Sequence, residues 1–139
     1  MMKNFTVLLT IITILAFGTC AHAATHDFEG WFSIDVPAGW STAGSGADMF
    51  VSIASPDGAE SITFEYAGSE GMDSRQFAEY AAGKLGGNGL GAETEFGDFE
   101  FALQSGKARA LMIGNMGIVM KSADGFDNLH NILQTFVGR

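Results

Sequence analysis

The sequence predicts an α+β fold: an antiparallel sheet of about six strands flanked by helices, in the order βββ-α-βββ-α. Three observations lead there. Apolar and polar residues alternate in short stretches before and after a central segment, two other segments repeat apolar residues at helical spacing, and the connections are short enough for hairpins. Strands and helices do not alternate strictly, so a parallel sheet built from crossover units is not expected.

The elements follow in order. Phe32, Ile34 and Val36 alternate with Ser33 and Asp35, and Pro37-Ala38-Gly39 ends that strand. Ser41 to Asp48, rich in Ser, Gly and Ala, reads as a mobile surface loop before a second alternation at Met49, Val51 and Ile53. Pro56-Asp57-Gly58 is a turn, because Pro presets φ and Gly accepts positive φ; Ile62, Phe64 and Tyr66 form the third strand. Asp73 and Gln76 have capping-box spacing, Phe77, Tyr80, Ala81 and Leu85 fall on one helical face, and Gly86-Gly87 stops the helix. Phe99, Phe101 and Leu103, then Ala108 to Ile113, then Ile118 to Met120 give three more strands. Asp124 is placed to cap a last helix carrying Phe126, Leu129, Leu133 and Phe136.

Residues 1–23, MMKNFTVLLTIITILAFGTCAHA, stand apart from this pattern. Lys3, an apolar run from Phe5 to Phe17, and Ala21 and Ala23 around His22 have the order of a secretory signal with an A-x-A cleavage site. Val7 to Phe17, interrupted by Thr10 and Thr13, is shorter than the roughly 18 to 20 apolar residues that span a bilayer. The alternative is lipid anchoring through Cys20, although Phe17-Gly18-Thr19 before it lacks the usual aliphatic residue. The expectation is therefore an exported protein, in the periplasm of a Gram-negative bacterium, with one domain over residues 24–139.

Cleavage after Ala23 removes 23 of the 139 residues, leaving 116 without a cysteine; loss of Lys3 takes the net charge from -9 to -10. Disulfides, thiolate catalysis and Cys-ligated metal are then excluded together. Only 7 Lys+Arg against 16 Asp+Glu argues against a nucleic-acid partner, because binding a phosphate backbone requires basic side chains.

The segment Phe32-Ser33-Ile34-Asp35-Val36-Pro37-Ala38-Gly39-Trp40, a strand running into P-x-G-W and followed by the βββ-α-βββ-α order, resembles the PsbP-like fold, which includes the DcrB-like bacterial exported proteins. The resemblance implies an α/β/α sandwich. It does not select a function, since members serve as photosystem accessory subunits, GTPase-binding proteins, secretion chaperones or exported proteins of unknown role. In physical terms Gly39 permits the turn, and Trp40 can fold back over the sheet edge.

Chemistry-bearing residues are sparse. No Ser completes a G-x-S-x-G elbow, and of the histidines beyond the leader His26 sits at a frayed N-terminus and His130 on the final helix, so a Ser-His site is not expected. Gly86-Gly87-Asn88-Gly89-Leu90-Gly91 follows a helix rather than preceding one, the wrong direction for a phosphate cradle. Met112, Met116 and Met120 read as hairpin residues, two in the core and Met116 exposed at the tip, rather than as a copper stripe. His130 reads as a partly buried packing residue.

Glu93, Glu95, Asp98 and Glu100 place four carboxylates within eight residues. Asp98 and Glu100 lie opposite Phe99 and Phe101, on a face expected to point to solvent. The functional expectation is a non-enzymatic binding or accessory protein without a cofactor. It would engage an envelope protein or component through an exposed sheet face, the Ser41 to Asp48 loop, or the aromatics Phe28, Trp31 and Trp40. The alternative is weak binding of calcium or manganese by the acidic strand.

Overall fold

The computed structural model describes residues 24–67 and 71–138; the expected signal sequence and Cys20 lie outside the described residues. The chain order is β1 (Ala24–Asp27), β2 (Phe32–Val36), β3 (Ser41–Ser45), β4 (Phe50–Ala54), β5 (Glu60–Tyr66), α1 (Ser74–Leu85), β6 (Phe99–Leu103), β7 (Gly106–Ile113), β8 (Met116–Ser122), α2 (Asp127–Leu133) and β9 (Val137–Gly138). Six strands form one antiparallel sheet in the order β3-β4-β5-β8-β7-β6, and β1-β2-β9 form a second, smaller one. The α+β class and the six-stranded antiparallel sheet are as the sequence predicts.

Membership of the large sheet differs from expectation. β2 pairs with β1 and β9 rather than with β4, and its place is taken by β3, the segment expected to be a mobile loop. Alternation in a sequence says which residues share a face, not which strand lies alongside. The loop is also pinned. Gly46 packs so closely on the Phe28 carbonyl that a Cβ there would lie 2.1 Å from the oxygen, and Ala47 N donates to Glu29 Oε1 at 2.8 Å. The stretch around His26, expected to be frayed, is likewise tied down, since Ala24 to Asp27 pair with Val36 to Ser33 along the whole of β1.

Apolar side chains pack on both faces of the large sheet, along one face and over β6 to β8 on the other. On one face Val51, Ile53, Ile62, Phe64, Ile118 and Met120 pack against Phe32, Ile34 and Val36 of the small sheet and against Leu129 and Ile132 of α2. On the other, Phe77, Ala78 and Ala81 of α1 pack on Phe99, Phe101, Ala108, Ala110 and Val119. The helix starts at the expected capping box, with Gln76 N donating to Asp73 Oδ1 at 2.8 Å and Asp73 N to Gln76 Oε1 at 3.0 Å. It ends at Gly86, which takes the left-handed φ of 72° that a side chain resists. Gly117 lets the helix sit down: a Cβ there would lie 2.3 Å from Phe77 Cε1.

α1 packs chiefly on β6, β7 and β8, with Lys84 reaching Glu65 of β5. The same face of β3, β4 and β5 is left uncovered among the described residues, and it carries Ser41, Ala43, Ser52, Ala54, Ser61 and Thr63. Two smaller expectations are corrected. Asp124 does not cap α2: the N-cap is Phe126, without a side-chain cap, and Asp124 N instead donates to Ser122 Oγ. Met116 is 6% exposed rather than at an exposed tip, because the β7–β8 turn consists of Gly114 and Asn115 and Met116 already faces the core.

Candidate functional site

The densest chemistry lies where β6 begins. The alternation reading is right about sides: Asp98 and Glu100 do oppose Phe99 and Phe101, and Glu100 is partly exposed, but Asp98 does not point to solvent. Asp98 is fully buried. It accepts hydrogen bonds from Thr94 Oγ1 and from His130, whose Nε2 lies 2.8 Å from Asp98 Oδ2; a carboxylate only accepts, so Nε2 carries that hydrogen. Arg109 Nε donates to Glu100 Oε1 at 2.9 Å, and its guanidinium also comes within 4.0 Å of Asp98 while lying over the Phe126 ring. Phe96 covers the other side of His130, ring centroids 4.0 Å apart.

This cluster is satisfied from within, apart from one atom, the buried His130 Nδ1, which has no hydrogen-bond partner among the described residues. A cavity of about 170 Å³ beside it is lined by Phe96, Asp98, Leu111, Ile113, His130, Leu133 and Gln134. That lining holds no hydroxyl, thiol or amine. The cluster joins the start of β6 to α2. His130 is the packing residue the sequence suggests, with Asp98 as the partner the sequence did not reveal.

The four carboxylates do not form a common centre. Glu93 and Glu95 are exposed on the loop before β6, Asp98 is buried among its own donors, and Glu100 is held by Arg109 and by Lys107 at 3.6 Å. Among the described residues no group of three or more His, Cys, Asp or Glu is arranged to hold a metal. The Gly86–Gly91 stretch is fastened along the β6 edge, with Asn88 paired to Ala102 and Gly91 N donating to the Glu100 carbonyl.

Phe28, Trp31 and Trp40 are also separated. Phe28 is 8% exposed and belongs to the core, so most of its ring is withdrawn from a partner. Trp40 is half-buried near Pro56, Glu60 and Asn128 at one end of the sandwich, with Trp40 N donating to Pro37 O across the Gly39 turn. Trp31 lies at the opposite end. It lines a depression of about 430 Å³ together with Met49, Tyr66, Ile113, Met116 and Phe136. Met49, Tyr66 and Ile113 are exposed there, at 48%, 44% and 37%. Met49 holds a φ of 55°, rare for a side chain with a Cβ, and is fixed by Met49 N donating to Gly46 O and by Tyr66 N donating to Met49 O.

Beside this depression, α1 and the uncovered half of the sheet meet in a second groove of about 240 Å³, lined by Phe50, Tyr80, Leu85, Lys84 and Lys121 among others. Sequence reasoning missed both features. Phe50, Tyr66 and Tyr80 sit at strand and helix positions where periodicity assigns a face but not what covers it.

No protein-family model matches the chain, and no curated protein matches it. Among solved structures it is similar to cyanobacterial PsbP (CyanoP) from Synechocystis sp. PCC 6803, at 9% identity over 86% of this chain and 94% of that one, TM-score 0.47. It is also similar to a protein from Bacteroides thetaiotaomicron VPI-5482, at 14% identity over 78% of this chain and 45% of that one, TM-score 0.42. The likeness concerns the fold alone. No helix among the described residues is long and apolar enough to cross a membrane.

Proposed function

We propose that the chain is an exported, non-enzymatic binding or accessory protein that engages a protein of the cell envelope through the depression walled by Trp31, Met49, Tyr66 and Ile113. The observation that carries this reading is the gathering of three exposed apolar side chains around a concavity floored by half-buried Trp31 and Phe136. Scattered single apolar residues are ordinary on a surface; a cluster of them over a hollow is a recognition feature. Covering such side chains recovers about 25 cal/mol for each Å² removed from water. The N-terminal features of the sequence supply the export part of the reading.

A photo-crosslinking residue placed at Met49 or Tyr66, in cells expressing the full chain, should capture the same envelope protein from both positions. Placed at Ala38, on the exposed turn before Trp40, it should capture none. Equal capture from all three positions, or substrate turnover by the pure protein, overturns the reading.

A further inference from the structure

We propose that the groove between α1 and the uncovered half of the large sheet binds a small amphipathic anion, a carboxylate carried on an unbranched apolar body. The site is distinct from the depression around Trp31, and the ligand is a small molecule rather than a protein.

The walls set the ligand's character. Phe50 of β4 and Tyr80 and Leu85 of α1 are exposed at 44%, 45% and 39%, and all three face this groove. Behind them lie the buried side chains of Phe77 and Val119. Glu65, opposite Phe50, also lines the groove and is taken up by Lys84; beyond these the uncovered face is paved with Ser, Thr and Ala, so large apolar side chains appear where the helix meets it and are absent from the rows beyond. A volume of about 240 Å³ lies just below the roughly 300–1,000 Å³ of ordinary small-molecule clefts, so the ligand is small.

The charges set the head group. The described residues include five basic side chains, and Arg75, Lys84, Lys107 and Arg109 each have a carboxylate at 2.9–3.9 Å. Among the described residues Lys121, half-buried and lining this groove, is in no ion pair. Lys84, also in the groove, has the longest of these pairings, 3.9 Å to Glu65, and its ammonium lies 5.7 Å from the Tyr80 ring centroid. Two of the five cations thus border one apolar groove. A carboxylate there completes the pairing that Lys121 lacks, while its chain covers Phe50, Tyr80 and Leu85.

Calorimetric titration of the full chain with octanoate, with 1-octanol as the uncharged control, tests the proposal. Octanoate should bind saturably with one site and at least about tenfold more tightly than octanol, and Lys121→Gln should weaken it about tenfold without lowering the melting temperature. Amide shifts in NMR should move at Phe50, Tyr80 and Leu85 and stay fixed at Ile113 and Trp31. No saturable binding, equal affinity for octanoate and octanol, or an unchanged Lys121→Gln affinity overturns the proposal. Those failures leave the crosslinking result at Met49 and Tyr66 untouched, so the two readings fail separately.

Discussion

Asp98→Ala tests how much the buried polar cluster contributes. The wild-type carboxylate is fully buried and receives Thr94 Oγ1, His130 Nε2 at 2.8 Å and, more distantly, the Arg109 guanidinium at 4.0 Å. Alanine leaves a buried N–H on His130 without an acceptor, on a ring whose Nδ1 already has none. One orphaned buried donor costs about 1–3 kcal/mol, and the lost Thr94 bond adds about 1 kcal/mol. Arg109 keeps Glu100 at 2.9 Å, so its charge is not abandoned, and no carboxylate now has to be desolvated, which offsets part of the loss. The losses sum to about 2–4 kcal/mol before that offset, so the net is about 1–3 kcal/mol, or roughly 4–12 °C in melting temperature for a domain of this size. Asp98→Asn retains one carbonyl acceptor in the same shape and should cost about half as much. Urea unfolding followed by the fluorescence of Trp31 and Trp40, both packed on the core, reads the change as a lower midpoint at constant slope. A loss below about 1 kcal/mol for Asp98→Ala, or an Asn variant as damaged as the Ala variant, refutes the hydrogen-bond account.

Two further outcomes are expected. Gly117→Ala should lose about 1–3 kcal/mol, because its Cβ would lie 2.3 Å from Phe77 Cε1 in a packed interface; adding Phe77→Leu should recover part of that loss in a double-mutant cycle, and additive losses would show the contact is not the cause. The Asp57 carboxyl is held below its usual 3.8 by the Ala59 amide and then by the Ser55 hydroxyl. A carboxyl lowered in the folded state stabilises above its unfolded value and loses that contribution as pH falls through the folded one. The stability difference between wild type and Asp57→Asn, from urea unfolding at several pH values, should therefore be constant above about pH 5 and shrink below 3.8; a difference that grows on acidification contradicts the sign.

How much the sequence reveals depends on how local the cause is. The α1 capping box, the Gly86 stop, the Pro56-Asp57-Gly58 turn and the sidedness of β4, β5 and β6 are all set by neighbours within a few residues, and all are legible. β3 is not, because Ser-Thr-Ala-Gly-Ser has little strand preference of its own and becomes a strand only by pairing with β4 from Ser41↔Ala54 to Ser45↔Phe50. The burial of Asp98 depends on His130, 32 residues away on α2, a separation no periodicity spans. The grooves were illegible for the same reason: Phe50 and Tyr80 are 30 positions apart in the sequence and share a wall only once α1 lies on β6 to β8.

The groove has a geometric origin. Six strands at about 4.8 Å spacing put roughly 24 Å between the outer two, while a single helix is about 10 Å across with its side chains. One face of the large sheet is covered by a second sheet and α2; the other has, among the described residues, α1 alone, 12 residues long and seated chiefly over β6, β7 and β8. A lone helix on a six-stranded sheet must leave a bare half, and a bare half stays in water only if its side chains are small or polar. Ser, Thr and Ala at six positions of β3, β4 and β5 meet that condition. Phe50, Tyr80 and Leu85, standing where helix and bare sheet meet, do not. Solubility would be served as well by Ser or Lys at those three sites, so their exposure is not explained by the fold, and an occupant of the groove is what would cover them.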